Sequence, residues 1–264
     1  MQIISWNINS LRLRLGLLKK LIDKYSPEII CLQEIKVQNQ EFPLLEVRAL
    51  GYDFVAFDGE KSYNGVAILS KFPLNKIITI DVLNYQQKRH IYAEIETKIG
   101  VINLHNFYVP AGGDIPDVKL NDKFDHKLKF LDFMAEYFLQ NRQKNTVILG
   151  DFNIAPSPYD VWSHQQLINV VSHTEIEVQK LNYLQQTLNF IDCHRYLAKP
   201  DEKIYSWWSY RALDPMKSNR GRRLDHIWIT PDLEKNLQSA EIFSDFRTQN
   251  SPSDHVPILI NLQY

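Results

Sequence analysis

The chain has 264 residues, with 30 Lys and Arg against 31 Asp and Glu, so its formal net charge is −1. Hydrophobic residues make up 44% and charged residues 23%, proportions that exclude intrinsic disorder, a collagen-like repeat and a disulfide-stapled miniprotein. A near-zero charge points to no nucleic-acid partner by itself, so such a partner has to be read from local patches.

Taken in chain order, residues 2–6 and 28–33 read as strands. Between them Leu11, Leu15, Leu18, Ile22 and Tyr25 recur at steps of four and three and predict a helix, with Ser10 at the N-cap position and Pro27 beyond its end. Strands follow at 53–57, 65–70, 76–82, 90–98 and 100–105, the last running on as Val101–Tyr108. A second helix is expected over 119–140, where Phe124, Leu128, Leu131, Ala135 and Phe138 form a stripe, and Asn145-Thr-Val-Ile-Leu-Gly begins the next strand. A third helix covers 175–187, and strands are expected at 224–229, 240–243 and 256–262. Strands alternating with helices suggest a single α/β domain of two packed sheets with helices outside. No run approaches the ~18 apolar residues of a membrane span. Cys31 and Cys193 sit in apolar stretches without a CxxC and read as buried, reduced thiols. Met1-Gln2 leads straight into the strand-like QIISWN with no signal-peptide pattern, which gives the expectation of a bacterial cytoplasmic protein.

Polar residues recur where these strands end. Asn7 and Asn9 end the first strand and Glu34 the second, Tyr108 closes Val101–Tyr108, and Asp151 and Asn153 close the strand in LGDFNIAP. Asp225 lies in RLDHIW, and Asp254-His255 precede the last strand. If the strands share one sheet edge, these carboxylates and amides converge there with an imidazole. Packed carboxylates repel one another and call for a cation. A ligand set of oxygens with no Cys favours Mg²⁺ or Mn²⁺ over zinc, and phosphoester hydrolysis is the matching reaction class. Taken singly, these residues fit a bland role at least as well: Asp254-His255 a structural or solvated step, Glu34 a surface residue, Asn7 a cap, Tyr108 a packed hydroxyl and the Asp151–Asn153 segment a turn; only their joint occurrence points to chemistry.

Asn7, LQEIK at 32–36, YNGVAILS at 63–70, YVP at 108–110, GDFNIAP at 150–156, RLDH at 223–226 and SDHVP at 253–257 occur in this order. Across nearly the whole chain they resemble the exonuclease III/AP endonuclease family, part of the wider endonuclease/exonuclease/phosphatase superfamily. The resemblance implies one catalytic domain over 1–264, folded as a four-layer α/β-sandwich of two mixed sheets flanked by helices. It also implies Mg²⁺-dependent cleavage on the 5′ side of abasic sites in duplex DNA, with 3′→5′ exonuclease and 3′-phosphatase or phosphodiesterase activity. By motif, Glu34 would be the principal metal ligand with Asn7 beside it. Asp151 would orient or deprotonate the attacking water, and Asn153 would hold the phosphate, both within reach of the metal. Asp225 would hydrogen-bond His255, which contacts the phosphate and borders the metal set; Asp254 would lie by a metal position, and Tyr108 would support the phosphate or leaving oxygen.

Two basic groups stand out locally. Arg12, Arg14, Lys19 and Lys20 read as a solvated helix face, while Arg211, Lys217, Arg220, Arg222 and Arg223 lie beside Trp207, Trp208 and Tyr210 and run into Asp225. Cations interleaved with aromatics next to a catalytic acid are a nucleic-acid signal, and Arg211, Arg220 and Arg222 are the candidate DNA contacts. The resemblance implies that Trp208 packs on a flipped-out abasic sugar. Ser209 stands where many relatives have Asp, Arg222 where many have Trp or Leu, and the loop Ala111–Pro116 also departs from the family pattern. These positions bear on the balance between abasic-site cleavage and exonuclease activity. Rival readings are a metal phosphoesterase acting on a small phosphorylated substrate or RNA, and a catalytically inert DNA-binding module. The expected partner is duplex DNA carrying abasic sites or 3′ ends, met by a monomer with no membrane and no obligate protein partner.

Overall fold

In the computed structural model, which describes residues 1–211 and 214–263, twelve strands form two six-stranded mixed sheets. They are β1 (Gln2–Asn7), β2 (Ile29–Gln33), β3 (Phe54–Asp58), β4 (Val66–Ser70), β5 (Leu74–Ile78), β6 (His90–Thr97), β7 (Gly100–Tyr108), β8 (Thr146–Asp151), β9 (Ile191–Asp192), β10 (Asp225–Ile229), β11 (Leu237–Ile242) and β12 (Ile258–Leu262). The helices are α1 (Leu11–Tyr25), α2 (Leu44–Ala49), α3 (Asp122–Gln140), α4 (His164–Leu167), α5 (Glu175–Thr187), α6 (Cys193–Leu197) and α7 (Pro215–Ser218). One sheet runs β11-β12-β1-β2-β4-β3 and the other β5-β6-β7-β8-β10-β9.

Both faces of each sheet are covered, which is why the central strands are continuous apolar runs instead of alternating ones. Between the sheets pack Ile3, Cys31, Ile68, Leu104, Leu149 and Ile227. Trp6, Leu32 and Leu69 meet Leu18 and Leu21 of α1 on one outer face. On the other, Phe107, Ile148 and Trp228 meet Phe130, Leu131 and Leu184 of α3 and α5. The expected four-layer sandwich is what the chain adopts. Cys31 and Cys193 are buried free thiols, and no helix among the described residues is long and apolar enough to cross a membrane.

Local departures have physical causes. α1 begins after Ser10 as expected, but Ser10 has φ +85° and its side chain makes no capping bond. The buried face of α1 is Leu11, Arg14, Leu17, Leu18, Leu21 and Ile22, so the helix is turned from the expected stripe toward its second row of leucines, and Leu15 and Tyr25 are only half-buried. The stripe of α3 is buried as expected, and Asn121 caps that helix by accepting from Lys123 N. The strand expected at 76–82 ends at Ile78, because the Asp81 carboxylate accepts from Gln86 N at 2.8 Å and 3.0 Å and closes a turn.

The topology places the ends that matter. β1 and β2 are parallel, as are β7 and β8, with Asn7 opposite Gln33 and Tyr108 opposite Asp151. β10 runs antiparallel to β8, which sets Asp225, its first residue, opposite Asp151. Gly150 adopts φ +136°, and a Cβ there would lie 1.8 Å from Phe107 O, so only glycine lets β8 approach β7 this closely. Beneath the strand ends, Gln33 Nε2 donates to Asn106 Oδ1 at 2.7 Å, and Asn106 Nδ2 donates across to Leu32 O and Ala67 O at 3.0 Å each. These buried amide bonds pin the register of one sheet on the other.

Candidate active site

Four side chains from the ends of the two parallel strand pairs meet first. Asn7 Nδ2 donates to Glu34 Oε1 at 3.1 Å and to Asp151 Oδ2 at 2.9 Å, and Tyr108 OH donates to the same Glu34 oxygen at 2.5 Å. Lys36 pairs with Glu34 Oε2 at 2.7 Å and donates to Asn9 Oδ1 at 2.7 Å. Burial works against a charged Glu34, but Lys36, Tyr108 and Asn7 together hold its pKa below the ordinary carboxylate value. Burial and the Glu34 charge push the Tyr108 hydroxyl well up, so it stays a donor. The guanidinium of Arg89 stacks 4.6 Å over the Tyr108 ring.

Asp151 is the hinge of the cluster. Its Oδ1 accepts from Asn153 N at 2.9 Å and its Oδ2 from Asn153 Nδ2 at 3.0 Å, a local turn that puts Asn153 at φ +55°. Asn153 Nδ2 also donates to Val109 O at 2.9 Å. His255 Nδ1 donates to Asp225 Oδ2 at 2.8 Å, and His255 Nε2 lies 3.6 Å from Asp151 Oδ2. Burial opposes an imidazolium at His255, yet Asp225 and Asp151 outweigh it and raise its pKa, so the ring is protonated near neutrality. Burial raises the pKa of Asp151, with Asp225 adding to the effect and His255 opposing it. Asp151, Asp225 and His255 are the one His/Cys/Asp/Glu trio among the described residues with ligand atoms within 4.8 Å of one another.

Asp254 lies on the rim. Its oxygens accept from Asn9 Nδ2 and Trp207 Nε1, each at 3.0 Å. Burial disfavours its charge, but His255, Asn9 and Trp207 keep its pKa low. All the candidate chemistry residues read from the sequence thus occupy one cleft. Lys36, inside the LQEIK motif, and Ser206, just before the Trp pair, belong to the same contact network and were not singled out. A buried serine carries no sequence signal, whereas a Lys two residues past Glu34 does.

The basic-aromatic segment divides differently from expectation. Trp208 is buried, edge-on to Tyr205, with its Nε1 on Asn219. It is a core residue as it stands, and the half-buried indole beside Asp254 is that of Trp207. Arg222 stacks 5.5 Å from the Trp207 ring and donates to Val171 O and Ser172 Oγ. Arg220 lies over Trp162, and Arg211 is exposed. Arg223 is 1% exposed and clamped by Asp160 and Asp192, so it faces the interior. In the earlier basic group, Arg14 is likewise buried, bonded to Ser251 O, Pro252 O and Tyr210 OH.

The Glu34 and Asp151 carboxylates lie on either side of the Asn7 amide, and the Asn7 and Asn153 amides, the Tyr108 hydroxyl and the Lys36 ammonium screen their repulsion. Such a hard oxygen donor set suits Mg²⁺.

Residues 4–255 match the Endonuclease/Exonuclease/phosphatase family. The chain is 32% identical to exodeoxyribonuclease III of Haemophilus influenzae, across 98% of each protein. It superposes on an AP endonuclease from Archaeoglobus fulgidus with a TM-score of 0.92 at 31% identity, and on the 3′ phosphatase NExo from Neisseria, bound to product DNA hairpin, with a TM-score of 0.91 at 28% identity; each match covers 100% of both chains. A sequence match over nearly the whole length and a shared sandwich leave one conclusion: the chain belongs to the endonuclease/exonuclease/phosphatase family, in its exonuclease III/AP endonuclease branch, and is a nuclease.

Proposed function

We propose that this nuclease is a Mg²⁺-dependent DNA repair phosphodiesterase of base excision repair, cleaving 5′ to abasic sites and acting at 3′ ends as exonuclease and 3′-phosphatase. The observation that carries the reading is the Asn7 amide held between Glu34 and Asp151 while Tyr108 and Lys36 grip the same Glu34. The names of its relatives, an exodeoxyribonuclease, an AP endonuclease and a 3′ phosphatase, supply the substrate class.

Glu34 and Asn7 would hold the ion, with Asp151 and Asn153 next to it and Asp254 and His255 at its border; Mn²⁺ would substitute. When bound, Mg²⁺ neutralises the scissile phosphate and stabilises the charge that develops on the leaving 3′-oxygen. Asp151, with its raised proton affinity, is placed to take a proton from the attacking water. His255, protonated and held by Asp225, directs Nε2–H at a non-bridging oxygen, where negative charge grows in the transition state. Asn153 and Tyr108 orient the phosphate. Trp207, Arg222, Arg220 and Arg211 line the approach of the duplex. The whole chain acts as one catalytic domain, a monomer without an obligate protein partner, in the bacterial cytoplasm.

The test is cleavage of a labelled duplex with one tetrahydrofuran abasic analogue, with Mg²⁺ or EDTA, beside an undamaged duplex with a recessed 3′ end. Incision 5′ to the analogue that EDTA abolishes is the expected result. Degradation of the recessed end alone would mark an exonuclease specialist, and inertness toward both duplexes with Mg²⁺ and Mn²⁺ would end the DNA-repair reading.

A further inference from the structure

Ser206 is fully buried and lies where three segments of the chain meet. Its backbone N–H donates to Arg222 O at 2.9 Å, and its carbonyl accepts from Val256 N at 2.8 Å. Its hydroxyl uses all of its hydrogen-bonding capacity at once. It accepts from Leu224 N at 3.0 Å and Asp225 N at 3.1 Å, and donates to Asp225 Oδ2 at 2.6 Å. That oxygen is also the one on which His255 Nδ1 rests at 2.8 Å. The other oxygen, Asp225 Oδ1, is buried and has no hydrogen-bond partner among the described residues.

This asymmetry is informative. The terminal torsion of an aspartate is broad and roughly two-fold, so nothing intrinsic to Asp225 prevents its carboxylate from turning. Among the described residues the only edge held by a hydrogen bond is the Oδ2 edge, and besides His255 itself the only group holding it is the Ser206 hydroxyl. His255 is then aimed by a chain of two short bonds, Ser206 to Asp225 to His255, which leaves Nε2 at 3.6 Å from Asp151 Oδ2 inside the cleft.

We propose that Ser206 is a positioning residue for the Asp225–His255 pair, acting through the Asp225 carboxylate and touching neither phosphate nor metal. The proposal rests on the reading that this pair serves phosphodiester hydrolysis. Its consequence is kinetic: a ring free to swing by about 1 Å loses on the order of a hundredfold in rate. Substrate affinity, set by the rim of the cleft, is left alone.

The experiment uses the full chain with Mg²⁺ on the tetrahydrofuran duplex and compares wild type, Ser206→Ala, Ser206→Cys, Ser206→Thr, Asp225→Asn and the Ser206→Ala/Asp225→Asn double variant. Ser206→Ala should lower kcat by about ten- to a hundredfold with KM within about threefold. Ser206→Cys keeps the volume but offers only a weak donor, and loses the same factor even if the alanine variant fails to fold. Ser206→Thr restores the hydroxyl and returns kcat to within about threefold of wild type. The double variant should be no slower than Asp225→Asn alone, because two members of one chain do not act independently. The His255 Nδ1–H proton resonance, seen by NMR, should shift in the alanine and cysteine variants and return in the threonine variant. Wild-type kcat in Ser206→Cys, or losses that multiply in the double variant, overturn the proposal while leaving the Asp225–His255 reading intact. Undiminished turnover in Asp225→Asn overturns that reading, and the role of Ser206 with it.

Discussion

Asn7 Nδ2 lies 2.9 Å from Asp151 Oδ2, a bond across 144 residues that joins the last residue of β1 in one sheet to the last residue of β8 in the other. The same amide reaches Glu34, so one side chain separates two carboxylates that would otherwise repel. Replacing Asn7 with Ala should reduce turnover by about a hundredfold, the usual scale for losing one preorganised donor. Initial rates on an abasic duplex test this, and wild-type rates would contradict it.

A second pair works from behind. Lys127 and Glu177 are both fully buried and ion-paired, and Lys127 Nζ donates to Asn153 O at 2.8 Å and Ala111 O at 3.3 Å. Lys127→Met leaves the Glu177 carboxylate without its cation and should cost about 3–5 kcal/mol. The double variant Lys127→Met/Glu177→Gln removes the stranded charge while keeping an acceptor for Ser172 N and Thr174 N, and should recover most of that loss. Urea unfolding of the two variants decides it; equal losses would show that the charge is not the cause.

The histidine pair between β6 and β7 sets an acid limit. His90 Nε2 and His105 Nδ1 are 3.1 Å apart. Burial lowers the pKa of His90 to about 3, and burial together with the neighbouring His90 lowers that of His105 well below its usual value. An unfolded histidine takes up its proton near pH ~6.5. Between there and about 3 the unfolded chain therefore binds more protons than the native one, and stability falls as pH drops through that window. His90→Phe should lose less stability than wild type between about pH 7.5 and about pH 5. Equal losses by urea unfolding would refute the assignment.

The adjacent tryptophans should separate in their effects. Trp208 is 3% exposed, and Trp208→Ala should cost about 3–5 kcal/mol of stability. Trp207→Phe keeps an aromatic ring beneath Arg222 but loses the N–H bond to Asp254 and should cost about 1–3 kcal/mol, with its larger effect on KM for DNA. Reversed magnitudes in unfolding experiments would contradict this placement.

Much of the site was legible because its residues interrupt strong patterns. Glu34, Tyr108 and Asp151 each stand at or just past the end of an apolar run, and the two parallel pairs bring those ends together. What stayed hidden depends on orientation. In an extended segment neighbouring side chains face opposite ways, so of Trp207 and Trp208 only one can face the cleft, and the sequence does not say which. The bridges from Trp207 to Arg222 and His255 settle it. The same alternation sends Arg223 inward to Asp160 and Asp192 while Arg222 stays at the rim. In α1 two leucine rows compete for one interface, and packing against β1 and β2 selects the row that also buries Arg14.

Asp151 joins both halves of the site, through Asn7 on one side and His255 on the other. The most direct test of the account compares Asp151→Asn with wild type on the tetrahydrofuran duplex, measuring single-turnover incision with Mg²⁺ and duplex affinity by titration. Incision should fall by at least about a hundredfold, with Kd changed by no more than about threefold. Incision at the wild-type rate by Asp151→Asn would contradict the role given to this carboxylate and the mechanism built on it.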